Sequence, residues 1–355
     1  MKKLLFLAAC IALAPCSIHA DQKTKTLDVV WIDSEGGGST LLITPAGESV
    51  LIDAGNPGGR DPARIVRAAT DAGLKKIDYL IITHWHADHF GGAAEVGDKI
   101  PIGTIFQRAI PDTDPDLAGD ASWPLRSKPF RAMTAKRVSL VPGVVIPLKA
   151  AGGVALSLRC LAADKKFIEP TPAQLAAAPQ ALGEAPPPKK EEAPDNDNSA
   201  VFVLTFGAFK FYDGGDLTWN YEPSLVLPHN LVGAVDVYQT DHHGLDRSNN
   251  PLLVRGLTPT VVVMNNGPHK GGQPETFATI KSVTSIHACY QLHKSFNVPE
   301  ATNSPDEFIA NLVDAKPADQ CTANVIKMSI APDGSSYTIS IPANGHSHTY
   351  ATKAK

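Results

Sequence analysis

Long apolar runs are missing from this chain once its first twenty residues are set aside. No later segment approaches 18 uninterrupted apolar residues, which excludes a transmembrane channel and predicts a soluble mature protein. A dominant charge is missing too. The 32 Lys and Arg against 36 Asp and Glu leave a formal net charge of −4. A mildly acidic chain is not a general nucleic-acid binder, although a local basic patch is compatible with it. Cysteine is scarce. Of five, Cys10 and Cys16 lie in the first twenty residues, leaving Cys160, Cys289 and Cys321.

The first twenty residues read as a targeting segment. Lys2 and Lys3 precede an apolar run over 4–14, and Ser17-Ile18-His19-Ala20 offers small residues before a cut at Asp21. This is the pattern of a secretory signal peptide, and it predicts a periplasmic or secreted protein. A lipoprotein signal ending at Cys16 is the alternative, from which Pro15 departs. Cleavage removes two lysines and no acid, so the charge becomes −6 over 21–355. An oxidising compartment permits a disulfide. Cys289–Cys321 is the favoured pair because both flank late strands, with three free thiols as the alternative.

Strand and helix patterns alternate along the chain. Residues 27–33, 40–44 and 49–53 read as strands, with Pro45-Ala46-Gly47 as a hairpin turn. A helix follows, capped by Asp61, with Pro62 in its first turn and Gly73 at its end. Residues 111–135 read as irregular, 137–148 and 154–161 as strands. The segment at about 165–195 carries seven prolines between 170 and 194, an alanine run and Lys189-Lys190-Glu191-Glu192. It reads as a weakly packed surface insertion, with a lid as the lesser alternative. Strands return at 200–206, 209–212, 234–240, 260–264, 325–330 and 337–341, and helices at 275–283 and 305–313.

The chemistry concentrates at 83–92, T-H-W-H-A-D-H-F-G-G, directly after the strand pattern of 77–83. Imidazole and carboxylate are ligands for zinc and similar divalent ions. Residues two apart in an extended segment share a side, so His84 and His86 can chelate one ion. Asp88 and His89 follow at the turn and reach a second.

With this H-x-H-x-D-H loop after a core strand, the chain resembles the metallo-β-lactamase superfamily of hydrolases. The resemblance implies a four-layer αββα sandwich with two divalent metals, His84 and His86 on the first, Asp88 and His89 on the second. In Phe211-Tyr212-Asp213-Gly214-Gly215-Asp216 it implies that Asp216 bridges the metals, with Asp213 as fallback. Asp241-His242-His243-Gly244 resembles the H-H-G element of the branch typified by the hydrolase domain of ComEC-type competence proteins. There it implies His242 as ligand and His243 as a catalytic or substrate-facing group, the reverse order being the alternative. The stretches 31–43 and 50–55, Asn196-Asp197-Asn198-Ser199 and Asn265-Asn266-Gly267 with Pro274 beyond carry weaker likeness to that branch. The chain departs from the family in having no His between His89 and His229, so Asn198, Asp197 or water stands where a third first-site His is usual. Glu35 stands where the branch has Gln.

These readings predict a metal-dependent hydrolase with a metal-activated hydroxide, oriented by Asp88. Zinc ranks first, then manganese or iron. Asp53 serves either to orient an imidazole or to shape its turn. Arg247, Ser248, His269, Lys270 and Asn198 are the substrate-binding candidates, and their cations and hydroxyl suit a phosphodiester of nucleic acid or the envelope. A lactone or β-lactam hydrolase and a non-catalytic metal-binding envelope protein are the alternatives. His287 to Lys294 reads as a strand, with a partner surface as the lesser alternative.

Overall fold

The computed structural model describes residues 26–117, 119–150, 152–190 and 193–354. The signal-peptide and Cys16 readings therefore lie outside the described residues. Two nine-stranded sheets face each other. The first runs in the order His346–Ala351, Ser336–Ile341, Ile326–Ile330, Leu27–Trp31, Thr40–Ile43, Ser49–Ile52, Ile77–Ile81, Ile102–Gln107 and Lys136–Ser139. The second runs Ile309–Asn311, Ala288–His293, Val261–Met264, Val237–Gln239, Phe209–Asp213, Val201–Phe206, Leu156–Ala163 and Val145–Ile146, with Lys166–Phe167 paired to Leu156–Ala163.

Period-two alternation along apolar strands builds four layers from this. Val29, Trp31, Leu42, Val50, Ile52 and Ile81 point between the sheets, where they meet Phe202, Leu204, Phe211, Val237 and Val263. Their neighbours Val30, Leu41, Leu51 and Leu80 point outward and pack with Ile65, Ala69, Phe90, Trp123 and Phe130 of the first helical layer. On the far side Tyr212, Tyr238 and Val262 pack with Leu253, Leu257, Phe277 and Ile280. This is an αββα sandwich. No helix among the described residues is long and apolar enough to cross a membrane.

Several local expectations are corrected. Gly59, not Asp61, is the N-cap of the helix Arg60–Asp71. Asp61 is spent on the backbone N–H of Asn56 and the Arg60 guanidinium. The region 111–135 holds a helix, Trp123–Ala132, because Pro124 falls in its first turn, where no donor is lost. Residues 305–313 form a short 3₁₀ turn and then the edge strand Ile309–Asn311, parallel to Ala288–His293. A final strand, His346–Ala351, was not read from the sequence. Cys160, Cys289 and Cys321 are all free thiols. Cys289 packs toward the outer layer of the second sheet, whereas Cys321 lies against Asp33 and Asn311, so the proposed pair points to different environments.

The insertion lies on the surface, with most of residues 171–190 exposed, and a few contacts tie it down as a strap. Thr171 and Gln174 form a capping box on the short helix Pro172–Ala176. Gln174 donates to the Asn230 carbonyl at 2.8 Å, Arg255 to that of Leu182 at 3.0 Å and Trp219 to that of Pro187 at 3.1 Å. Lys189 and Asn220 exchange two hydrogen bonds, at 2.9 and 2.7 Å.

Asp33 clasps the two sheets where their strands end. Its carboxylate accepts from Arg64 at 3.0 Å, from His293 at 2.8 Å and from the Glu35 N–H at 2.8 Å. Burial opposes the charge, but His293 and Arg64 outweigh it and hold this carboxyl below its ordinary 3.8. A depressed acid contributes stability above its unfolded value and loses it as pH falls through the folded one. Asp33→Ala should therefore lower the unfolding free energy at pH 7 by about 3–5 kcal/mol, with the gap to wild type narrowing below pH 3.8. Urea melts at pH 7 and pH 3 measure this, and a gap that is the same at both would contradict it.

Candidate metal centre

The carboxyl ends of parallel strands from both sheets meet at one edge, where α/β sheets commonly place active groups. Ser49–Ile52 delivers Asp53, and Ile77–Ile81 delivers Thr83 to His89. From the second sheet, Phe209–Asp213 delivers Asp216, and Val237–Gln239 delivers His242 and His243. The turn before them lies hard against the site: a Cβ at Gly38 would stand 2.6 Å from His89 Nδ1.

Asp88, His89, Asp216 and His243 form one compact donor set. His89 Nε2 lies 3.2 Å from His243 Nε2 and 3.2 Å from Asp216 Oδ2. His243 Nε2 lies 3.4 Å from Asp216 Oδ1 and 3.6 Å from Asp88 Oδ2, and His89 Nε2 lies 3.5 Å from Asp88 Oδ2. Ligands about 2.0–2.1 Å from a tetrahedral ion stand roughly 3.3 Å from one another, so these separations fit a small divalent cation. His84, His86 and Asp216 form a second set. His84 Nε2, 3.7 Å from Asp216 Oδ2, is buried with no hydrogen-bond partner, as is Asp216 Oδ1. Buried donors and acceptors are seldom left unpaired, and two such atoms converging here are what a metal centre requires.

The other ring nitrogens of His84, His86 and His89 are each held, whereas His243 Nδ1 is buried without a hydrogen-bond partner. A carboxylate only accepts, so His89 donates from Nδ1 to Asp53 Oδ2 at 2.7 Å. Burial opposes its charge, but Asp216, Asp53 and Asp88 outweigh it and hold the imidazole well above its usual range, so a metal taken on Nε2 would displace a proton. Thr83 Oγ1 donates to the same Asp53 oxygen at 2.6 Å, which leaves it to accept from His84 Nδ1 at 3.1 Å. Asp53 thereby orients one imidazole of each set. Its turn role is present as well, since its φ is 59°. His86 Nε2 donates to Asp116 Oδ2 at 2.5 Å, which leaves Nδ1 as its ligand atom. Asp116 was not singled out from the sequence. It sits thirty residues on, in a proline-punctuated loop, and is itself pinned by the Asp195 N–H at 2.8 Å.

Charge is sorted within the centre. Burial, with the neighbouring His89 and His86, pushes His84 well below the usual histidine range and keeps it neutral. Burial resists ionisation of Asp88, but Lys270, His89 and His243 overcome it and hold the carboxyl well below its usual range. The same balance against His89, His243 and His242 holds Asp216 low.

The histidine pair departs from the expected order. The structure brings His243, rather than His242, into the set with Asp88 and His89. Both residues are left-handed, at φ 52° and 57°, a strained conformation for a side chain with a Cβ. That turn sends the two rings to different sides of Asp216. His242 Nε2 faces Asp216 Oδ2 at 3.5 Å, and its Nδ1 faces Ser248 Oγ at 3.5 Å. Burial above all pushes His242 down to about 3, so it is a neutral imidazole.

The remaining candidates divide. Lys270 places its ammonium on Asp88. Arg247 lines a cleft with His242. Ser248 is buried and donates to the Leu217 carbonyl at 2.7 Å. His269 is turned to Asp314 at 2.9 Å on the surface and is not brought to the centre. Asn198 and Asp197 do not supply the missing imidazole: Asn198 bonds Asp195, and Asp197 holds Thr218 and Lys165. Asp213 binds the Gly215 N–H at 3.1 Å, and burial pushes its carboxyl up to about 7. Asp33, Glu35, His293 and Cys321 gather elsewhere, but Arg64 already pairs with both carboxylates there.

Residues 33–150 match the model of the Metallo-beta-lactamase superfamily. Competence protein ComA of Neisseria gonorrhoeae is 31% identical over 265 residues, which cover 74% of this chain and 30% of that protein. Beta-lactamase-like protein 2 homolog of Caenorhabditis elegans is 31% identical over 64 residues, 18% of this chain and 22% of its own. A UPF0173 metal-dependent hydrolase of Koribacter versatilis is 34% identical over 76 residues, 21% and 28% respectively. The chain thus spans less than a third of each of these relatives.

The orienting carboxylates give a discriminating test. Loss of such a partner typically weakens metal binding about 10–100-fold. In a competitive chelator titration, Asp116→Ala should weaken one of two zinc equivalents by that factor, and Asp53→Ala should weaken both. Equal effects of the two substitutions would contradict these orienting roles.

Proposed function

We propose that the chain, whose residues 33–150 match the Metallo-beta-lactamase superfamily model, is a metal-dependent hydrolase of that superfamily whose substrate is a phosphodiester, in nucleic acid or in a cell-envelope component. The observation that carries the substrate class is charge at the rim. The Lys270 ammonium touches Asp88 on one side of the centre, and Arg247 lines the cleft beside His242. Burial works against charge on Lys270, but Asp88 and Asp216 more than offset it, so it stays a cation. Cations on two flanks suit an anionic phosphoryl group better than a neutral amide or lactone.

His84, His86 and Asp216 are assigned to one ion, with the His242 imidazole facing the same Asp216 oxygen. Asp88, His89, Asp216 and His243 are assigned to the other. Two imidazoles with two carboxylates near tetrahedral spacing favour zinc, then manganese or iron. Such ions would supply Lewis acidity toward a phosphoryl oxygen and acidify water for attack near neutral pH. The protein's own residues do the positioning. Asp88, held ionised, accepts a hydrogen bond from the attacking water and aligns it. Lys270 has three N–H groups, of which Asp88 takes one, leaving donors for a phosphoryl oxygen. The chain is further proposed to act outside the cytoplasm, on the strength of the basic and apolar pattern at 2–20.

The zinc-loaded protein should hydrolyse a bis-aryl phosphodiester, and Asp88→Ala should lower kcat at least about a hundredfold. Faster turnover of a lactone or a β-lactam than of the phosphodiester, in protein shown to carry its metals, would replace this substrate class.

A further inference from the structure

Among the described residues every Phe, Tyr and Trp but one is buried or half-buried, whereas Phe296 is 44% exposed. An aromatic ring left in water forgoes its hydrophobic gain, so an exposed ring on an ordered segment marks a binding surface. The ring is not solitary. Its centroid lies 5.7 Å from that of His269, with the two planes 37° apart, within the spacing that aromatic pairs favour. His269 Nε2 is held in turn by Asp314 at 2.9 Å, and Asp314 follows the exposed Leu312 and Val313.

This surface is joined to the metal centre through the loop 267–272. Both neighbours of Phe296 are bonded to that loop. Ser295 Oγ donates to the Gly272 carbonyl and Asn297 Nδ2 to the Gly271 carbonyl, each at 2.8 Å. The Phe296 N–H itself donates to the Pro268 carbonyl at 2.9 Å. The loop in turn meets the centre at two points. The Gly272 N–H donates to the His243 carbonyl at 3.1 Å, and the Lys270 ammonium lies on Asp88. Contact at the first point is close: a Cβ at Gly271 would stand 1.9 Å from the His243 oxygen. At the second, Lys270 passes Gly36, where a Cβ would stand 2.8 Å from its own. His269 is thus one residue, about 3.8 Å of backbone, from the lysine proposed to meet the phosphoryl group.

We propose that Phe296, backed by His269, is a stacking platform for a planar aromatic group carried next to the scissile phosphate, as a nucleobase is. The inference rests on the phosphodiester reading and deepens it: the rim ring selects, while Lys270 and the centre act on the phosphate. Stacking of this kind tolerates any base, because every base presents a π face. The group must be free of a duplex stack, so an unpaired strand fits the platform. A polymer of glycerol or sugar phosphate has no π face and does not engage it.

The test is binding to the full chain, read as the initial fluorescence anisotropy before any turnover. One probe is a labelled tetrathymidylate. Its partner has the same backbone, charge and label, with tetrahydrofuran abasic sites in place of the bases. The wild-type protein should bind the first about tenfold more tightly. The ratio should fall below about twofold in Phe296→Ala and in Phe296→Leu, which keeps apolar bulk without a ring. Phe296→Trp should restore it. Equal affinity of the two probes for the wild type, or a ratio that survives in Phe296→Leu, would overturn the platform. Sedimentation of the same proteins covers the other occupant of an exposed apolar patch. A dimer that Phe296→Ala dissolves, with the probe ratio unchanged, would assign the surface to a second copy of the chain instead. Cleavage is scored separately in metal-loaded protein. Base-dependent affinity without cleavage of either probe would refute the phosphodiesterase reading and leave the platform standing. Cleavage of both probes at equal affinity would do the reverse.

Discussion

One carboxylate holds the centre together. Asp216 Oδ2 stands 3.7 Å from His84, 3.2 Å from His89 and 3.5 Å from His242, and its Oδ1 stands 3.4 Å from His243. Those imidazoles arrive on strands of both sheets, so the residue that joins the two donor sets also joins the two halves of the sandwich. Most of the polar side chains buried together here are bonded to one another, and His84 Nε2, Asp216 Oδ1 and His243 Nδ1 are left without a hydrogen-bond partner. The Asp216 N–H is tied to Ser199 at 3.2 Å, and the next residue, Ala200, donates to the Thr83 carbonyl at 3.0 Å. The element that aims Asp216 thus also fixes the start of the histidine loop.

Around that carboxylate, precision passes outward in steps. Asp53 serves both sets, through His89 directly and through Thr83 to His84. Asp116 serves His86 and is pinned by Asp195 at the end of the strap. Asp195 in turn accepts the Trp85 N–H at 2.6 Å, within the histidine loop itself. The strap is therefore mechanically continuous with the metal centre. No histidine lies between His89 and His229, and Asp195, through Asp116, orients the His86 imidazole from behind.

Much of this was legible because period-two alternation and strand-end chemistry are local signals. The run 77–83 followed by His84, His86, Asp88 and His89 shows the strand, the turn and the donors in one stretch. Asp216 and the His242-His243 pair were legible from similar strand ends. The order within the pair was not. It depends on two successive left-handed residues, which sequence pattern does not reveal for histidine. Asp116 and Asp195 were hidden because their partners lie 30 and 110 residues away and their loops read as irregular. The strap's surface position was legible from its composition, but its anchoring contacts were not. Its prolines and alanines resemble an unpacked segment, but its order comes from backbone carbonyls and a lysine clamped by Trp219, Asn220 and Glu275. The disulfide expectation failed for a similar reason, since strand adjacency in sequence said nothing about which side each thiol faces.

The central claim is that this chain holds two metal ions on either side of Asp216, with the histidine pair divided between them. A crystal structure of the zinc-loaded protein, with anomalous differences collected at the zinc edge, tests it most directly. The account predicts two peaks bridged by Asp216, one within ligand distance of His84 and His86 and the other of Asp88, His89 and His243. A single peak, a second ion at Asp33 and His293, or His242 in place of His243 beside Asp88 would contradict it.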